Sequence, residues 1–261
     1  MTETPLPDGG TVRCEIERRA NGPVAHLIID HKERRNALGP AVVSALTEQA
    51  LKLHADPDLR LVTLRGTDAM FSAGANVKVL ANLDENGARG FITSLHKAID
   101  AVRRIPVPVI AVLEGRCYGG AMELAAACDI RLAAASLVTG MPEVRVGIPS
   151  VIEACLLPRL IGWGKTSELL FTGRDVGGDE NLEIGFVERL VPNTEVEKAL
   201  EDWVEMILTC APGAIRAQKR IMHGWEPDDA PGIDASINAF ARSYAGDEPA
   251  RYLAPLVKKR A

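Results

Sequence analysis

The 261-residue chain has no apolar run long enough to cross a membrane. Its best candidate, Val107 to Leu113, falls far short of the roughly 20 residues a spanning helix needs. It also lacks a basic excess: the net charge is −5, against what a nucleic-acid surface normally shows, although a local patch for one phosphorylated ligand stays open. Cysteine is sparse and odd in number, five in all. Cys14, Cys117, Cys128, Cys155 and Cys210 have no metal-like spacing, as expected of reduced cytoplasmic thiols. The histidines are scattered without an H-x-x-x-H pair, so no metal is expected. No G-x-S-x-G elbow occurs. Gly164-Lys165-Thr166 resembles the end of a P-loop, but the glycine required five positions earlier is Arg159. The opening MTETPLPDGG lacks the charged-then-apolar order of a signal peptide and the Arg-rich amphipathicity of a transit peptide. It reads as a short flexible leader on a cytoplasmic protein.

What is present is a large apolar fraction, 47%, enough for one large domain or a core with a smaller lobe. Val12–Glu17 and Val24–Asp30 read as strands around the turn at Ala20-Asn21-Gly22. A helix follows from Pro40 to about Leu53, with Val42, Val43, Leu46, Ala50 and Leu53 on one face. Leu59–Leu64 reads as a strand, residues 66–75 as a loop, and Gly87–Arg104 as a helix stopped by Ile105-Pro106. The buried strand Val107–Leu113 and a short strand Ile130–Ala134 come next, then a loop over residues 140–150. Helical patterns at about 151–160, 164–172, 179–185, 194–209, 213–224, 231–245 and 248–258 fill most of the remainder. Strand–strand–helix units followed by helices predict an α/β core with a helical lobe.

The chain is organised around Leu113 to Ile130, LEGRCYGGAMELAAACDI. A strand enters a glycine turn and a helix leaves it. Gly119 and Gly120 let the backbone approach a ligand, and the first amides of the helix are unpaired and electropositive. That suits a developing negative charge such as an enolate or thioester oxygen. Glu123 lies almost one turn further on. Taken alone, it reads as an N3 capping acid.

Several stretches in order resemble the crotonase, or enoyl-CoA hydratase/isomerase, superfamily. Arg35-Asn36-Ala37-Leu38 is similar to its K/R-N-A-L, and Phe71-Ser72-Ala73-Gly74-Ala75 to its F-x-A-G-A. Gly119-Gly120-Ala121-Met122-Glu123-Leu124 through Cys128-Asp129-Ile130 is similar to G-G-x-x-E-L…C-D-I. Pro142-Glu143 through Gly147-Ile148-Pro149 is similar to P-E-x-x-x-G-I-P. Ile184-Gly185-Phe186-Val187, and Ala211-Pro212 with Lys219, fall where similar family blocks fall. The resemblance spans roughly residues 12–258. It implies a spiral of ββα units over residues 1–195 and a C-terminal helical lobe over 196–261 that forms a homotrimer or a dimer of trimers. It also implies a coenzyme A thioester as substrate, with no separate cofactor.

By that resemblance the amides of Ala75 and Gly120 are the two oxyanion donors, and Glu123 and Glu143 are the catalytic acids of an enoyl-CoA hydratase. Glu123 would deprotonate the water that adds to C3, and Glu143 would deliver a proton to C2. An isomerase or another acyl-CoA reaction is the alternative, and a non-enzymatic acyl-CoA binder is the third class. Arg35, Ala37, Ala73 and Lys78 are the candidate substrate and coenzyme A contacts, and Lys258-Lys259-Arg260 could reach a neighbouring subunit's ligand. Two departures stand out. Asn76 replaces a frequent Asp, and Ser150-Val151-Ile152-Glu153-Ala154 replaces a glycine-rich G-x-G-G-T, which is expected to narrow the acyl pocket. Glu153 is expected to be a solvated helix-start acid, with a third acid near the site as the alternative.

Overall fold

The computed structural model describes residues 9–225 and 229–258. The leader up to residue 8, and Lys259 and Arg260 of the basic run, lie outside the described residues.

The chain opens with an antiparallel hairpin, β1 (Thr11–Arg19) and β2 (Gly22–Asp30). Helix α1 (Pro40–His54) starts with its proline in the first turn, and buries Val42, Val43, Leu46, Ala50 and Leu53 as their spacing predicts. Then come β3 (Leu61–Gly66), the short α2 (Val77–Leu80) and α3 (Glu85–Arg103). The side chain of Asp84 caps α3 by accepting from the Gly87 amide at 2.7 Å. Next are β4 (Val109–Leu113), β5 (Arg116–Tyr118), α4 (Gly120–Ala126), β6 (Ile130–Ala134) and β7 (Val138–Gly140). After two 3-10 turns, Glu143–Val146 and Ile152–Leu156, the chain enters α5 (Leu157–Thr172), bent at Gly162. It finishes with β8 (Asp175–Gly177), α6 (Gly178–Glu183), β9 (Arg189–Val191), α7 (Val196–Leu208), α8 (Pro212–Gly224), α9 (Ala230–Ser243) and α10 (Glu248–Lys258).

The first sheet has the order β1-β2-β3-β4-β6-β9, parallel from β2 onward. A second, smaller sheet has the order β5-β7-β8. The chain passes repeatedly from a strand of the first sheet to one of the second and then to a helix. This is the ββα spiral. Residues 72 and 117 extend it with an isolated bridge from the loop after β3 to β5. β4 reads as an unbroken apolar run because both its faces are buried. Val109, Ala111 and Leu113 face the main core, which also contains α1, α3 and α4. Ile110 and Val112 face a second core closed by Val196, Ala199, Leu200, Val204 and Leu208 of α7.

The sequence reading misses β5, β7, β8 and β9. Each has only three residues, too few for a period-2 pattern to register. The C-terminal helices do not stand apart: α9 packs along α3, and α10 reaches α2 and the 143–146 turn. Lys219, in one of the motif blocks, is buried and donates to Val107 O at 2.9 Å and to Asp129 Oδ2 at 2.7 Å. It ties α8 to the start of β4.

Candidate active site

The motif stretches converge because short backbone pairings draw them together. Ala73 N donates to Arg35 O at 3.0 Å and Leu38 N to Gly74 O at 2.8 Å, so the R-N-A-L stretch runs beside the F-x-A-G-A loop. The buried Asn36 fixes that approach. Its amide nitrogen donates to Thr67 O and Met70 O, and its Oδ1 accepts from His31 N. On its other side the loop meets β5, with Ser72 N donating to Arg116 O at 2.9 Å. Gly74 packs so closely on the Tyr118 carbonyl that any side chain there would collide with it.

Gly119 sits at φ +53°, the left-handed region that favours glycine, and turns the chain from β5 into α4. Its amide donates to Gly140 O at 2.9 Å. The amides of Ala75 and Gly120, one on each side of this junction, have no acceptor among the described residues. Both residues line a cavity of about 170 Å³, walled mainly by Leu80, Phe91, Leu95, Val151 and Phe240. The other end of α4 is held by the buried Arg131, which donates to the carbonyls of Cys128 at 2.9 Å and Ala125 at 3.4 Å.

Glu123 and Glu143 line this same cavity. Glu123 is buried among apolar groups. That burial, and then the neighbouring Glu143 and Glu153 carboxyls, holds its acid well above the ordinary value. The backbone N–H groups of Ala154 and Val151 oppose the effect. Glu143 approaches from the 143–146 turn, with its Oε1 where a side chain on Gly119 would be. Its acid is also raised by burial, against hydrogen bonds from its own amide and from the Ser150 hydroxyl, which donates to Oε2 at 2.9 Å.

The other predicted contacts distribute unevenly. Ala73 lines the cavity and Ala37 is buried behind it. Arg35 is exposed, with φ at +56°. Lys78 is partly exposed on α2, where Val77 rather than Lys78 faces the cavity. Asn76 caps α2 as an Asp would, accepting from Lys78 N at 3.0 Å, so the loop is ordered despite the lost charge. Of the altered 150–154 segment, Val151 lines the cavity; Ile152 does not, and it has φ +41° where the family pattern has glycine.

The expectation of a solvated Glu153 is overturned. Its relative exposure is 1%, and its Oε1 lies 2.6 Å from His96 Nδ1. The 152–156 turn packs on α4, so a residue expected at a helix start points inward. A signal was available: Glu153 is the one polar residue between Val151 and Leu157.

Two sheets wound in ββα turns, with a glycine junction and two carboxyls on the cavity beside it, define a crotonase-like fold. The sequence matches the enoyl-CoA hydratase/isomerase family over residues 19–248, and the chain belongs to that family. It is 33% identical to the human enoyl-CoA hydratase domain-containing protein 2, mitochondrial, with 97% of this chain and 90% of that protein covered. It is 30% identical to the crotonyl-CoA hydratase of Syntrophomonas wolfei, over 91% and 92% of the two chains. The solved enoyl-CoA hydratase of Bacillus anthracis superposes with a TM-score of 0.77 at 29% identity, over 95% of this chain and 96% of that one.

Proposed function

We propose that the protein is an enoyl-CoA hydratase, adding water across the 2,3 double bond of a 2-enoyl-CoA to give a 3-hydroxyacyl-CoA. The observation that carries this reading is the presence of two carboxyls, the buried Glu123 and the half-buried Glu143, on one apolar cavity beside the Gly119-Gly120 turn. In this reading the thioester oxygen accepts from the amides of Ala75 and Gly120. One such donor is worth about 3 kcal/mol when charge develops on the oxygen. Glu123 takes a proton from the water attacking C3 while Glu143 gives one to C2. Each hydration then ends with the proton on Glu123, the arrangement its deeper burial favours. The same arrangement is ready for the reverse dehydration.

No separate cofactor enters these steps, since coenzyme A is part of the substrate. Ala37 and Ala73 would contact the substrate, and Arg35 and Lys78 the phosphates or adenine. A homotrimer or dimer of trimers is the proposed assembly, with residues 196–261 as the oligomerising lobe. Ile221, Met222 and Trp225 near the end of α8 are exposed apolar side chains that such contacts would cover. No helix among the described residues is long and apolar enough to cross a membrane, and the cytoplasm is the proposed location.

Hydration of crotonyl-CoA, followed as loss of the conjugated enoyl absorbance, tests the reading. Absence of turnover over a panel of chain lengths would overturn it. Migration of a 3-enoyl double bond without hydration would establish the isomerase alternative, which needs only one of the two acids.

A further inference from the structure

The hydratase reading leaves one buried ionisable pair unused. Glu153 lies on the 152–156 turn packed against α4, the helix that carries Glu123. One of its oxygens is paired with His96 of α3 at 2.6 Å. The other, Oε2, is buried without a hydrogen-bond partner. Glu153 does not line the substrate cavity, so it touches neither thioester nor water there. His96 retains 23% side-chain exposure and so connects the buried carboxyl to solvent.

A buried carboxyl of this kind serves stability poorly. An acid in an apolar setting costs free energy unless each of its lone pairs is satisfied, and this one is half satisfied. In the glycine-rich family pattern its place is taken by a residue with no side chain. Its nearest ionisable neighbour on α4 is Glu123, which accepts from the backbone N–H groups of Val151 and Ala154 on either side of Ile152-Glu153, so one short turn of chain holds both carboxyls, and the Glu153 charge favours the protonated form of Glu123.

We propose that Glu153, held by His96, is a positioning residue for the reaction: its charge, governed by the His96 proton, sets how tightly Glu123 holds the proton it exchanges with Glu143. This rests on the hydratase reading of Glu123. With Glu153 anionic, Glu123 binds its proton more tightly and hydration is driven toward its end state. With Glu153 neutral, Glu123 releases its proton more readily for the next water. The charged groups facing His96 are Glu153, Asp100 on its own helix and Asp234 on α9, and all three favour the imidazolium. His96 is accordingly raised above its ordinary value, first by the hydrogen bond to Glu153.

The test is the pH profile of kcat/KM for crotonyl-CoA hydration in the wild type, Glu153→Gln, His96→Gln and the double variant. Glu153→Gln removes the negative charge and should move the acidic limb to lower pH by about one unit, the low end of what a neighbouring charge does to a carboxyl. KM should hold, because Glu153 does not contact the cavity. His96→Gln strips Glu153 of its cation, so the buried acid takes up a proton and the limb moves the same way. The double variant should move no further, since both changes act through one charge. Profiles that superimpose on the wild type after scaling, with lowered stability alone, would overturn the proposal. Should Glu153→Gln fail to fold, His96→Gln decides by the same limb. The protonated-carboxyl infrared band assigned by difference against Glu123→Gln reads the Glu123 proton without turnover. A titration shift there in a protein that hydrates nothing would sink the hydratase reading while keeping the coupling, and no shift would sink the coupling itself.

Discussion

The Ser150 hydroxyl donates to Glu143 Oε2 across 2.9 Å, at a position where the family pattern carries glycine. The bond favours the ionised acid, against the burial that favours the neutral one. Ser150→Ala should therefore raise the Glu143 acid further. Hydration needs that acid protonated, so the basic limb of the kcat/KM profile should move to higher pH. A hydrogen bond to a charged group is worth about 1.5–3 kcal/mol, which corresponds to a shift of about one to two pH units. A pH titration of crotonyl-CoA hydration measures it, and an unmoved basic limb would remove Glu143 from the acid's role.

Replacing either acid separates chemistry from binding. Glu123→Gln and Glu143→Gln should each lower kcat by about 10²–10⁴-fold, the range for a lost general acid or base, with little change in thioester affinity. Glu123→Gln should also raise Tm at neutral pH. The folded protein holds the Glu123 proton more tightly than the unfolded chain does. Stability from this group is therefore present below the unfolded value of about 4.5 and is lost as pH rises toward the folded one. An amide removes that loss. Melting curves of wild type and variant between pH 5 and 8 check the sign: the Tm gain should grow with pH.

The glycine turn admits a sharper perturbation. Gly119→Ala would place an L-residue at φ +53° and a methyl group against Glu143 Oε1. The backbone alone costs about 1–3 kcal/mol, and the methyl must displace the carboxylate from the cavity. The expected outcome is a lower Tm and a kcat as low as that of Glu143→Gln. Steady-state kinetics and a thermal melt on one preparation test both halves.

Much of this site was legible in the sequence because its parts are local. The glycine pair, the acid one turn on, and Pro142-Glu143 before Gly147-Ile148-Pro149 can each be read within a few residues. The hairpin and α1 are equally plain, because each apolar pattern lies within a single element. What escaped depends on distant partners. Three-residue strands such as β7 exist through pairing, as Cys117 with Thr139. Glu153 looked solvated because nothing within its own segment reveals that His96, far back on α3, meets it. Asn36 has no role assignable from its motif alone; its hydrogen bonds serve the loop around residues 67–70, thirty positions away.

Lys219 provides a contrast between a motif residue that shapes the fold and one that acts in the site. Its side chain is 6% exposed and its ammonium joins Asp129 Oδ2, which also accepts from Val109 N at 2.7 Å at the start of β4. Lys219→Met keeps the side chain's length and removes the charge, leaving Asp129 without its cation. Breaking a buried pair from one side costs about 3–5 kcal/mol. Asp129 keeps 20% exposure, which water can partly use, so a value near the low end, about 3 kcal/mol, is expected. Because the pair lies outside the cavity lining, the folded fraction should hydrate crotonyl-CoA with unchanged KM and an unshifted pH profile. Urea denaturation paired with kinetics at a temperature well below the variant's Tm measures both. A pH limb that moved with Lys219 would mean the pair communicates with Glu123 after all.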